Sequence, residues 1–202
     1  MKYIAHREED REQLLLDHLT GTAEKAKEFA EVFGKGEWGY CCGMLHDLGK
    51  YSDKFQRRIR GEDIKVDHAT AGARVCLELG GMYPFMEYCI AGHHAGLPNA
   101  GGKSDAVNSP TLNGRRKKKI EDFQAYKKEI CIPELKTVPI DINKTTNAEF
   151  SLGMFMRMLY SCLVDADFLD TEEFMVNGNT GRQQGENAAA FGKIRETYCR
   201  MA

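Results

Sequence analysis

The chain has little of what marks a membrane protein, a secreted protein or a nucleotide-driven motor. None of its apolar runs approaches the ~20 residues that span a bilayer. It has no Gly-x-x-x-x-Gly-Lys-Ser/Thr phosphate loop, no Cys-x-x-Cys pair and no internal repeat. Neither sign of charge dominates: 28 Lys and Arg stand against 30 Asp and Glu, and the pI is near 6.3. There is thus no global basic field to gather a polyanion, and any such attraction must come from local patches or bound metal. Strand signals are nearly lacking, apart from short runs such as residues 137–142. The seven cysteines are odd in number and sit mostly in apolar helical context, so they read as reduced core thiols of a cytoplasmic protein. The charged stretch at residues 1–10 does not have the form of a signal peptide.

What is present is helical periodicity. At 202 residues the chain is one domain of ordinary size. Leu15, Leu19, Thr22, Ala26, Phe29 and Phe33 recur at three- and four-residue steps and predict a helix over 12–33 that stops at Gly34. A second helix is expected over 37–48, with Gly49 as its stop. Ser52 is placed to cap a short helix carrying Phe55 and Ile59. Asp67 is placed to cap a helix through Ala71, Val75 and Leu79, with His68 in its first turn. Pro84 opens another that runs to His93 and His94. Residues 97–113, rich in Gly, Asn, Ser and Pro, read as a mobile loop. The run Arg115, Arg116, Lys117, Lys118, Lys119 leads into an amphipathic pattern of Ile120, Phe123, Tyr126 and Ile130. Cations at a helix start oppose its dipole, so the run reads either as a solvated face or as a phosphate-contacting patch. A last core helix is expected over 148–170, apolar nearly all round. Beyond it lies a polar tail over 176–202 with a weak helix from about 188 to 201, suited to a linker.

The chemistry centres on Leu45-His46-Asp47-Leu48-Gly49-Lys50. Imidazole nitrogen beside carboxylate oxygen suits Mn, Fe, Co, Ni or Zn better than Mg or Ca. An isolated His-Asp pair is more often a helix-end histidine beside a surface acid. Here the other histidines fall in order around it: Asp17-His18 upstream, then Val66-Asp67-His68-Ala69, then Gly92-His93-His94-Ala95, leaving only His6 aside. Late in the chain, Leu163-Val164-Asp165-Ala166-Asp167-Phe168 places acids in an apolar helix, where each needs a partner.

That order resembles the HD metal-dependent phosphohydrolase superfamily. In detail the four motifs are similar to the HD nuclease domain of CRISPR type I interference, a domain usually fused to a superfamily 2 helicase and sometimes separate. The resemblance runs over roughly residues 10–175 and implies an all-α helical bundle with a buried metal centre. It also implies a metal-dependent nuclease on single-stranded DNA, working with a superfamily 2 helicase module, fused or in trans, and a CRISPR RNA-guided surveillance complex. The runner-up reading is an HD phosphohydrolase acting on nucleotides or other phosphomonoesters; a third is an HD module kept only for binding. The resemblance assigns His18, His46, Asp47 and Asp167 to one divalent transition-metal ion (Mn, Fe, Co or Ni). Asp47 then bridges to a second ion on His68, His93 and His94. Asp47 is the central catalytic group. Lys50 is either a phosphate-holding point charge or a surface lysine. Asp165 and Asp167 stand about 200° apart on a helix of ~3.6 residues per turn, so only one can face the centre, and the motif favours Asp167. Asp67 and Asp165 are candidates for orienting histidines, and Ser52, Gln56 and Thr70 for lining the groove. No membrane partner is expected. The chain is read as a separate nuclease subunit or a piece of a larger fusion.

Overall fold

Leu15, Leu19, Ala23, Ala26 and Ala30 form the buried stripe of helix α1 (Leu15–Glu31), and His18 and Thr22 lie within that stripe. Helix α2 (Gly36–Leu45) packs on it almost backbone to backbone, because Gly39 and Gly43 are one turn apart on the contact face. A Cβ at Gly43 would stand 2.5 Å from Ala23 Cα, and one at Gly39 would overlap the Ala26 carbonyl. This close approach sets the His18 and His46 rings 5.2 Å apart. The computed structural model describes residues 2–176. Its remaining helices are α3 (Asp53–Ile59), α4 (Ala69–Leu79), α5 (Pro84–Gly92), α6 (Leu112–Arg116) and α7 (Ala148–Met175). Helix α7 packs across α1, α2 and α5, and α4 packs on α5. The architecture is the all-α bundle expected, with one small antiparallel hairpin, β1 (Ile4–Glu8) and β2 (Arg11–Leu14).

The caps behave as their chemistry requires. Ser52 Oγ accepts from Phe55 N at the start of α3. Asp67 Oδ1 accepts from Thr70 N at the start of α4, and Asn147 Oδ1 from Phe150 N at the start of α7. Pro84 is the first residue of α5.

The structure departs from the sequence expectations at several places. Helix α2 ends at Leu45 rather than Leu48; His46 caps it, and a 3₁₀ turn follows over Leu48–Tyr51. Gly49 is therefore no helix stop. It is small because a Cβ there would overlap the His68 carbonyl, as one at Gly72 would overlap that of Leu45. The basic run does not open a helix: Arg115 and Arg116 close α6, where cations complement the dipole. Phe123, Tyr126 and Ile130 reach the core through irregular chain and a 3₁₀ turn at Gln124–Lys128. Helix α7 runs on to Met175 and is buried on one face only, through Phe155, Leu159, Cys162, Leu163, Ala166 and Asp170, while Phe150 and Phe168 are exposed. The strand signal lies at residues 4–14, not 137–142, and Cys131 is exposed rather than a core thiol. No helix among the described residues is long and apolar enough to cross a membrane. The expected tail helix over 188–201 lies outside the described residues.

Candidate metal centre

Five helices converge on one buried carboxylate, three of them through their ends. Asp47, fully buried at the α2 exit, turns its two oxygens to two different groups of side chains. On one side, Oδ2 stands 3.4 Å from His18 Nε2 of α1 and 3.4 Å from His46 Nε2. Asp167 Oδ1 of α7 completes this group, 3.4 Å from His18 Nε2 and 3.6 Å from His46 Nε2. On the other side, Oδ1 stands 3.5 Å from both His68 Nε2, at the α4 entrance, and His93 Nε2, at the α5 exit. His94 closes the second group, with its Nε2 2.7 Å from His68 Nε2. All seven residues that the sequence pointed to are thus brought together. Asp165, two residues from Asp167, points away and meets Ser161 at 3.5 Å.

Hydrogen bonding decides what these atoms can accept. His46 Nδ1 donates to the Gly43 carbonyl at 2.6 Å, and His93 Nδ1 to the Ile90 carbonyl at 2.6 Å. His18 Nδ1 faces the Asp170 carboxylate at 2.8 Å. A carbonyl or carboxylate oxygen only accepts, so all three rings carry a proton on Nδ1 and leave Nε2 aimed inward as the nitrogen that could bind an ion. The three Nε2 atoms and Asp47 Oδ1 are buried without a hydrogen-bond partner, and the cation beside Asp47 Oδ2 is the Lys50 ammonium at 2.7 Å. Acceptors gathered against acceptors in the interior demand a cation. Donor atoms ~2.1 Å from one ion at octahedral or tetrahedral angles stand about 3.0–3.4 Å apart, close to the spacings seen here. Imidazoles with carboxylates fit a divalent transition metal in both groups.

The charges of the centre tell the same story. Burial pushes the Asp47 carboxyl up, but the Lys50 ammonium and the His46 and His68 rings outweigh it and hold the group well below the usual carboxylate range. Burial pulls His46 down, yet Asp47 and Asp167 beside it push it up to about 10, so a proton stands in for the cation. His68 has no such excess of acid around it, and burial takes it down to about 4. Lys50 is buried, with its Nζ 2.7 Å from Asp47 Oδ2, so it is not a surface lysine.

The residues expected to line the groove or to orient histidines act elsewhere. Gln56 is buried and ties Ile4 N, Ile4 O and the Lys50 carbonyl together. Ser52 caps α3, and Thr70 holds Asp67. Asp67 pairs with Lys118 at 2.6 Å and Asp165 with Ser161, and neither bonds a histidine. Three of the five basic residues also have internal partners. Arg116 makes two bonds to the buried Glu87, at 2.7 and 2.5 Å, and Lys117 bonds the carbonyls of Lys103 and Asp105. Lys118 is taken by Asp67.

Three participants were missed in the sequence: Asp170, Gln13 and His6. Asp170 extends the buried α7 stripe one step beyond Leu163 and Ala166, and that periodicity was a usable signal. Gln13 and His6 sit on a hairpin whose residues are mostly charged, so no alternating pattern betrayed it.

The chain matches the model of the HD domain family over residues 15–137, more than half its length. It belongs to the HD domain family. HD domains are metal-dependent hydrolases that bind divalent ions, and the paired histidine–aspartate groups are where this one would hold them. The match ends before α7, so Asp167 of the first group lies beyond it. A search of curated proteins found no match.

Proposed function

We propose that this HD domain is a metal-dependent nuclease that hydrolyses phosphodiester bonds of single-stranded DNA in CRISPR interference. The reading supposes a cytoplasmic setting, a superfamily 2 helicase module and an RNA-guided surveillance complex as partners. The observation that carries the hydrolytic part is Asp47, whose Oδ2 faces His18 and His46 while Oδ1 faces His68 and His93. One carboxylate so placed would serve both groups if each held an ion. When bound, such a pair neutralises charge on the phosphoryl group and lowers the pKa of a nucleophilic water. His18, His46, Asp47 and Asp167 would hold one ion, and Asp47, His68, His93 and His94 the other. The chain's own residues then have separable tasks. Asp47 fixes the spacing of the two groups. The Lys50 ammonium shares Asp47 Oδ2 and adds a fixed positive charge beside the phosphoryl position. Exposed His94 marks the mouth, with Phe55 packed against His68 at a ring distance of 5.3 Å.

The polymer substrate is favoured by the order and content of the four motifs. The internal pairing of Arg116, Lys117 and Lys118 speaks for the second reading, a phosphohydrolase of nucleotides or other phosphomonoesters, because it removes much of the expected phosphate-tracking surface. Protein stripped with chelator and reloaded with Mn is to be assayed on circular single-stranded DNA and on mononucleotides. Nicking of the circle supports the nuclease; release of phosphate from mononucleotides with the circle intact supports the second reading.

A further inference from the structure

The hairpin β1–β2 and helix α7 both lie outside the family-matched residues 15–137, yet both reach the ring of His18. The bonds between them have a fixed direction. Lys50 Nζ lies 3.2 Å from His6 Nε2, and an ammonium can only donate, so that nitrogen accepts. His6 therefore carries its proton on Nδ1 and donates to Gln13 Oε1 at 2.7 Å. With Oε1 so used, the Gln13 amide turns its Nε2 to Asp170 Oδ2 at 2.8 Å. The same oxygen accepts from His18 Nδ1 at 2.8 Å. The circuit closes through His18 Nε2, which faces Asp47 Oδ2, the oxygen that Lys50 also holds.

We propose that Asp170 and Gln13 are positioning residues that fix the tautomer and ring orientation of His18 for metal binding. The inference rests on the metal centre described above and extends it to residues that no family match covers. Asp170 is 6 % exposed. A Cβ at Gly21 would overlap its Oδ1, so α1 is glycine at the one place where the carboxylate needs entry. Arg11 locks the hairpin to the end of α7 by donating to the Phe174 and Met175 carbonyls at 2.8 and 3.1 Å. Gln13 thereby arrives at Asp170 from a braced strand. A carboxylate that orients a ligating histidine typically matters 10- to 100-fold in metal affinity. A purely structural Asp170 would serve only its ion pair with Lys25, 3.4 Å away.

The test uses the full chain, labelled with ¹⁵N-histidine, as wild type, Asp170→Asn and Gln13→Leu. Imidazole ¹H–¹⁵N spectra of metal-free protein report which nitrogen of His18 is protonated, and calorimetry with Mn reports the affinity of each ion. The wild type should show protonated Nδ1. Asp170→Asn should disturb that signature and weaken one ion about 10- to 100-fold while sparing the other. Gln13→Leu should move both readouts the same way by a smaller step, and it serves alone if Asp170→Asn fails to fold. Lys25→Met should leave both unchanged. A wild type that binds no metal overturns the metal centre itself. Unaltered His18 spectra and equal Mn affinities in the variants, with a metal-binding wild type, overturn only the positioning role.

Discussion

Lys50 Nζ and Asp47 Oδ2 lie 2.7 Å apart in the interior, three residues from each other in sequence. An ammonium in that place competes with a metal ion for the same oxygen and repels it. Lys50→Met keeps the length of the stem and removes the charge. It should tighten Mn binding at the His18–His46 group several-fold while lowering the hydrolytic rate at least tenfold. Calorimetry and single-turnover rates read the two effects, and a parallel loss of both would assign Lys50 to folding instead.

Gly49 and Gly72 set the distance between the α2 exit and the α4 entrance. Gly49→Ala pushes a methyl into the His68 carbonyl and so shifts a residue of the second group. It should cost about 1–3 kcal/mol of stability and weaken the second ion more than the first. Denaturant melts and Mn titration check this. Gly34→Ala is the control for helix-end effects, since nothing lies within 4 Å of its would-be Cβ and only its φ of 69° is strained.

The bundle was legible in the sequence because its helices carry apolar periods, and the metal groups because histidines beside helix ends fall in a recognisable order. The end of α2 was misplaced by three residues, since apolar spacing persists through Leu48 in the 3₁₀ turn. The pattern from Ile120 to Ile130 misled for a related reason: burial of Phe123, Tyr126 and Ile130 is fixed by tertiary contact, which irregular chain also supplies. Asp67 illustrates what a sequence withholds. Its neighbour is His68, but its charge is spent on the α4 entrance and on Lys118, 51 residues away.

The basic run divides into two kinds of residue. Arg116 faces Glu87, which is 1 % exposed, and its loss strands a buried carboxylate. Arg116→Met should therefore destabilise the protein by about 1–3 kcal/mol with little change in the salt dependence of DNA binding. Arg115→Gln with Lys119→Gln should leave the melting temperature within about 2 °C, a surface effect. That double change should shallow the slope of log affinity against log salt by up to about 1.4, or ~0.7 per lost single-strand contact. An unchanged slope would make the run structural throughout.

The two late acids of α7 differ in direction, not in type. Asp167 Oδ1 meets His18 and His46, whereas Asp165 meets Ser161. Asp167→Asn should lower Mn affinity of the first group at least tenfold, as expected on losing a charged ligand or its orientation. Asp165→Asn should change it less than about twofold. A reversed ranking in metal titrations would move the ligand by two residues.

The central claim is that one carboxylate, Asp47, serves two metal groups at once. The direct measurement is metal content per folded chain, after chelation and reloading with Mn, for wild type and Asp47→Asn, with the cleavage rate taken on the same samples. Wild type should hold two ions, lose activity in chelator and regain it with Mn, Co or Ni more than with Ca. Asp47→Asn should remain folded, fail to hold a close ion pair and cleave at least a hundredfold more slowly, as befits loss of a group both ions share. Two tightly held ions and a near-normal rate in Asp47→Asn would contradict the centre.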